Sequence, residues 1–133
     1  MDTNDKKIKI FIIDDDSFLL DMYALKFSQS NFEVDTALGS EIALEKLKSG
    51  LKCDVVLLDI IMPVMDGFEL LKKIKEEKLI PGSTMIILSN KGEKSDILRG
   101  QDLGASGYII KSNTTPSEVI QQVVGILKTN KKI

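Results

Sequence analysis

Histidine is missing from all 133 residues. Its absence excludes nucleophilic triads built on His, His-ligated zinc and an internal phosphohistidine. The one cysteine, Cys53, has no partner for an internal disulfide; that suits a reducing cytosol, and its place beside a strand start fits a structural thiol. No apolar run approaches the ~18 residues of a membrane span. Residues 1–7 are polar and lack the apolar core of a signal peptide, so a cytoplasmic protein is expected. Neither sign of charge dominates. Eighteen Lys and Arg against 20 Asp and Glu leave a net charge of −2, so no bulk basic field points to direct nucleic-acid binding. Repeats, low-complexity tracts and linkers are also absent. The length fits one domain over residues 1–133, with 1–7 and 128–133 as tails.

What is present is a set of short apolar runs, each closed by a polar residue. Val55-Val56-Leu57-Leu58 reads as a strand covered on both faces, and Asp59 follows it. Ile8 to Ile13 is β-branched and closes in Asp14-Asp15-Asp16. Residues 32–36 alternate as a short strand. Met85 to Leu88 is a buried strand closed by Ser89-Asn90, and Gly107 to Ile110 is a fifth, closed by Lys111. Helical patterns lie between them. The first runs over 17–29, capped by Asp16 or Ser17, with Phe18, Met22 and Leu25 as its apolar stripe. The second starts behind a Ser40 cap, turns Ala43, Leu44 and Leu47 inward, and stops at Gly50. The third covers 68–78 with Leu70, Leu71 and Ile74 on one face, after a turn built on Pro63 and Asp66-Gly67. The fourth, 93–103, is weak, because only Ile97, Leu98 and Leu103 are apolar enough to pack and Gly100 costs about 1 kcal/mol inside a helix. Thr115-Pro116 opens the fifth, whose inner face is Val119, Val123, Ile126 and Leu127. Five strands alternating with five helices imply an α/β fold, a doubly wound parallel sheet with helices on both faces.

In such a sheet the carboxyl ends of the strands share one edge, where ligands bind. Asp14, Asp15, Asp59, Ser89 and Lys111 therefore converge. Taken singly, each has a plainer reading as a cap, a solvated helix start or a surface group. Together they form a chemical set. Three carboxylates repel one another unless positive charge intervenes. Lys111 supplies one charge and a hard divalent cation two more. Asp15 and Asp59 as direct ligands, with Asp14 through water, suit Mg²⁺; no soft ligand favours zinc or copper. A carboxylate nucleophile accepts a phosphoryl group as an acyl phosphate, and Asp59 is the candidate. Mg²⁺, Lys111 and the Ser89 hydroxyl would each hold one equatorial oxygen.

Over Ile8 to Leu127 the chain resembles the receiver domain of bacterial two-component response regulators. The resemblance is carried by Ile10-Phe11-Ile12-Ile13-Asp14-Asp15-Asp16, by Asp59-Ile60-Ile61-Met62-Pro63-Val64-Met65-Asp66-Gly67, by Leu88-Ser89 and by Gly104-Ala105-Ser106-Gly107-Tyr108-Ile109-Ile110-Lys111. It implies a flavodoxin-like (βα)5 sandwich with strand order 2-1-3-4-5. It implies that Asp59 takes phosphate from a histidine kinase or histidine phosphotransfer protein. The Ile61 carbonyl would join Asp14, Asp15 and Asp59 around Mg²⁺. Ser89 and Tyr108 would act as the switch, reshaping the face of the fourth helix, fifth strand and fifth helix for an output protein. Such a protein is not an enzyme in the turnover sense; it catalyses only its own phosphorylation and slow dephosphorylation.

Several positions depart from the family pattern. Ser112 stands where proline is usual, which leaves the Lys111-Ser112 peptide without the residue that favours a cis bond. Asn90 replaces a small residue. Ile61 and Lys91 fill the variable positions beside the site. Ile61 cannot orient water and Lys91 can pair with phosphate, so a long-lived phosphoryl form is expected. The last helix has few charges: residues 117–127 contain Glu118 and neither Lys nor Arg, so a monomer or weak dimer is expected. Three rivals stand beside the stand-alone switch. A small Mg²⁺-dependent phosphatase lacks its second acid, since Ile61 holds that position. A flavin or nucleotide carrier lacks a glycine-rich phosphate loop. A pseudo-receiver, a phosphorylation-independent interaction module, is opposed by the intact acid set.

Overall fold

The computed structural model describes residues 6–131 and 133. Residues 1–5 and 132 of the expected tails lie outside the described residues. Five strands alternate with five helices: β1 (Ile8–Asp14), α1 (Ser17–Gln29), β2 (Phe32–Leu38), α2 (Ser40–Lys48), β3 (Val55–Leu58), α3 (Gly67–Glu76), β4 (Thr84–Ser89), α4 (Lys94–Asp102), β5 (Gly107–Ile110) and α5 (Pro116–Thr129). The strands are all parallel, in the order β2-β1-β3-β4-β5. The anticipated architecture and strand order are both present.

Alternation along the strands divides the core into two layers. Phe11, Ile13, Val56, Leu58, Met85 and Ile87 pack under α2 and α3, against Leu47, Phe68, Leu71 and Ile74. Ile10, Ile12, Val55, Leu57, Ile86, Leu88 and Ile109 face α1 and α5, against Phe27, Val119, Val123 and Leu127. A strand buried on both faces has no polar side for water, which is why these segments read as unbroken apolar runs.

The helix predictions need four corrections. On α1 the stripe of Phe18, Met22 and Leu25 is not the buried face: Phe18 is 76% and Leu25 57% exposed. Leu20, Tyr23 and Phe27 go inward, and Phe27 meets Phe32 edge to face at 5.0 Å. Ser40 is not the cap of α2. Gly39 holds that place, and Ser40 is a buried helical residue. On α4, Leu98 is exposed and Gly100 is the buried residue, pressed toward Ile87 and Tyr108. Finally, α5 continues to Thr129, so Lys128 is helical rather than part of a tail. The opening of α5 is as expected, with a reciprocal cap between Thr115 and Glu118 behind Pro116. Among the described residues no helix is long and apolar enough to cross a membrane.

Candidate functional site

The site is assembled at the carboxyl edge of the sheet by continuing the strand ladders past their ends. Asp14 is the last residue of β1, and its carbonyl accepts the Gly39 N–H at 2.9 Å. Asp59 lies one residue beyond β3, and its N–H donates to the Ile13 carbonyl at 3.0 Å. That bond sets Asp59 beside Asp14. Carboxylate oxygens of Asp14, Asp15 and Asp59 lie within 4.8 Å of one another. Asp14 and Asp59 are buried and Asp15 is exposed.

Lys111 enters from two strands away. Strands are about 4.8 Å apart, so reaching β3 from β5 across the end of β4 takes a long side chain. The Lys111 ammonium donates to Asp14 Oδ2 at 2.7 Å and to Asp59 Oδ2 at 2.8 Å. Burial alone would lower its pKa, but the two carboxylates outweigh burial and hold it above 10.5. Asp14 shifts the other way from most paired acids. Burial raises its pKa above 3.8 and outweighs the bonds from Lys111 and the Asp16 N–H. The other oxygen of Asp59, Oδ1, accepts from the Ile60 N–H at 2.7 Å and the Ile61 N–H at 3.4 Å. Three carboxylates against one ammonium leave two formal negative charges, equal and opposite to the charge of a divalent cation.

The loop after Asp59 is folded back tightly. Asp66 caps α3 by accepting the Glu69 N–H at 2.9 Å. Gly67 N–H donates to the Ile60 carbonyl at 2.8 Å, and a Cβ at Gly67 would collide with the Asp59 carbonyl oxygen. The glycine is therefore required for close approach, beyond its value as a turn signal. The buried Ser40 hydroxyl donates to the Met65 carbonyl at 2.7 Å and anchors the same loop from α2. Sequence reading missed this role, because a serine at a helix start looks the same whether it caps the helix or braces a neighbouring loop.

The residues expected to act as switch and modulators lie in β5 and at or just beyond the ends of β3 and β4. Ser89 is fully buried at the end of β4, and its Oγ accepts the Lys91 N–H at 3.2 Å. Tyr108 donates its hydroxyl to the Lys91 carbonyl. Burial, with the charges of Asp96 and Asp59, pushes the phenol up to about 12. Lys91 extends toward Asp96, with Nζ 3.9 Å from Oδ1. Ile61 is exposed beside the acids. Asn90 Oδ1 accepts the Ser112 N–H at 2.8 Å. Described peptide bonds are all trans, so the Lys111-Ser112 peptide is trans as well. At the far end of the sheet, Cys53 contacts Ser83, and burial pushes its thiol up to about 11. It is a poor nucleophile there.

Comparison with known proteins points in one direction. The response regulator receiver domain family matches residues 10–124. The alkaline phosphatase synthesis transcriptional regulatory protein PhoP of Bacillus subtilis is 32% identical over 120 residues, which cover 90% of this chain and 48% of the relative. The transcriptional regulatory protein ResD of the same organism is likewise 32% identical, over 122 residues and 48% of its length. The chain thus spans about half the length of the curated relatives it matches. A CheY-like response regulator receiver domain protein from Methanospirillum hungatei superposes with a TM-score of 0.83 at 28% identity, covering 96% of this chain and 98% of its own.

Proposed function

The chain belongs to the response regulator receiver domains of two-component systems, and on that footing we propose that it is a phosphoacceptor switch with Asp59 as the acceptor. The observation that carries this reading is the pairing of the Lys111 ammonium with both Asp14 and Asp59 at the edge where three carboxylates meet. Receiver domains work in signalling, and the donor in this reading is a phosphohistidine on a kinase or phosphotransfer protein. An Asp59 oxygen attacks phosphorus, the phosphorus–nitrogen bond breaks, and the imidazole leaves with the bonding pair.

Asp14, Asp15 and Asp59 would hold Mg²⁺, with the Ile61 carbonyl as a further ligand. The fit rests on an all-oxygen donor set that carries excess negative charge. When bound, Mg²⁺ would neutralise charge on the phosphoryl oxygens. The chain's own groups do the rest. Lys111 keeps its place between Asp14 and Asp59 until transfer, then follows the charge onto a phosphoryl oxygen. The Ile60 and Ile61 N–H groups fix the acceptor carboxylate's rotation through Oδ1. The Ser89 hydroxyl leaves its bond with the Lys91 N–H to reach the phosphoryl group. That movement alters the loop whose carbonyl holds Tyr108, and with it the α4–β5–α5 face. Phosphate selects this state only by binding it better.

Mixing the chain with a phosphohistidine-bearing phosphotransfer protein tests the reading. Radiolabel is expected to move onto the wild-type chain and to stay on the donor with Asp59→Asn. Equal labelling of both would remove Asp59 from its role.

A further inference from the structure

The two residues that depart most visibly from the family pattern, Asn90 and Ser112, are bonded to each other. They are 22 residues apart and on different elements, yet Asn90 Oδ1 accepts the Ser112 N–H at 2.8 Å. A proline at 112 would have no N–H to offer. Ser112 lies in a short 3-10 turn, Lys111–Asn113, that begins at the lysine itself. The first N–H groups of such a turn have no partner within it. Asn90 satisfies one of them from across the sheet edge, acting as a cap supplied by another element.

The turn's own bonds are local. The Thr114 hydroxyl donates to the Ile110 carbonyl at 2.7 Å, and the Thr114 N–H to the Lys111 carbonyl at 3.3 Å. Neither ties the turn to β4. The ladder between β4 and β5 ends at Ser89 paired with Ile110, one residue short of Lys111. Asn90 and its neighbour Lys91 continue the connection. Lys91 receives the Tyr108 hydroxyl, and Asn90 receives Ser112. The loop after Ser89 thus clasps β5 on both sides of Lys111.

We infer that Asn90 is a positioning residue for Lys111. Its bond to the Ser112 N–H fixes the turn from which the ammonium reaches Asp14 and Asp59, and joins that turn to the residue following Ser89. The inference rests on the phosphoacceptor reading for its kinetic consequence, but not for the bond itself. The clasp stands in for the rigidity that a proline would otherwise bring to this turn. It also gives Ser89, at the end of β4, and Lys111, just past β5, a shared support, so that these two expected phosphoryl-binding side chains approach phosphate as one unit.

Two variants test it. Asn90→Ala removes the acceptor; Asn90→Asp keeps an oxygen at the same place. In protein that carries no phosphate, exchange of the Ser112 amide is expected to quicken at least fivefold in Asn90→Ala and to stay near wild type in Asn90→Asp. The Lys111 side-chain ammonium signal in nitrogen-15 spectra is expected to broaden in Asn90→Ala alone. The rate constant for phosphorylation by a small acyl phosphate is expected to fall three- to tenfold in Asn90→Ala, with the half-saturating Mg²⁺ concentration unchanged, because the carboxylates are untouched. A general loss of structure would move both. Unchanged Ser112 exchange in Asn90→Ala, or an unaltered Lys111 signal and rate, would overturn the inference. If the wild type takes up no phosphoryl group, the phosphoacceptor reading fails, while the exchange and ammonium measurements still decide whether Asn90 holds Lys111.

Discussion

Asp14 is the acid whose ionisation the fold opposes. Its pKa is raised by burial, so the folded chain holds this proton more tightly than the unfolded chain, where the group titrates near 3.8. Stability from this group is therefore complete below that value and is lost as pH rises through the higher folded value. At pH 7 the protein carries the deficit. Asp14→Asn removes it, and Lys111 keeps Asp59 as its partner. The variant is expected to be more stable than wild type at pH 7 by on the order of 1 kcal/mol, with the gain vanishing below pH 3.8. Urea unfolding at both pH values measures this, and a variant no more stable at neutral pH would contradict it. Ile61 supports a second prediction. It is an exposed aliphatic residue beside the acceptor, with no polar group to orient water. Phosphate loss from loaded protein is expected to be roughly tenfold faster in Ile61→Asn than in wild type. Equal rates, timed after removal of the donor, would refute the claim that this residue slows hydrolysis.

At the scale of elements, α4 differs from its neighbours. Its one buried residue is Gly100, and its other ties include the Asp96 carboxylate, which accepts the Glu93 N–H and lies 3.9 Å from the Lys91 ammonium, and Arg99, 4.4 Å over the Phe68 ring. Few buried apolar contacts mean a low cost of local opening. Amides of residues 97–102 are expected to exchange about a hundredfold faster than those of β1 and β3, as read by hydrogen exchange; protection equal to the core strands would remove α4 as the movable part. That little of this helix is buried was legible in its sequence, which offers few apolar residues. The buried face of α1 was not. Ser17 to Phe27 is apolar at almost every second position, so Phe18-Met22-Leu25 and Leu20-Tyr23-Phe27 both satisfy helical spacing. Only the sheet beneath and Phe32 alongside decide between them. The strands presented no such choice, since β3 and β4 are buried on both faces and have no wrong side.

For the whole molecule, the order β2-β1-β3-β4-β5 places the two acid-bearing strands side by side and the lysine strand two places away. A parallel sheet collects its strand ends at one edge, so Asp14, Asp59, Ser89 and Lys111 could be grouped from sequence alone. The supports of that group could not. Ser40 under Met65 and Asn90 on Ser112 each join a side chain to backbone in another segment, and Gly67 sets backbone against backbone beside Asp59. Loop conformation decides such contacts, and no local spacing encodes them. The most direct test of the phosphoacceptor assignment is the intact mass of the chain after incubation with a small acyl phosphate, with and without Mg²⁺. One phosphoryl addition that requires Mg²⁺ and disappears in Asp59→Asn is the expected result. An unchanged mass in wild type with Mg²⁺ present, or the same addition in Asp59→Asn, would contradict it.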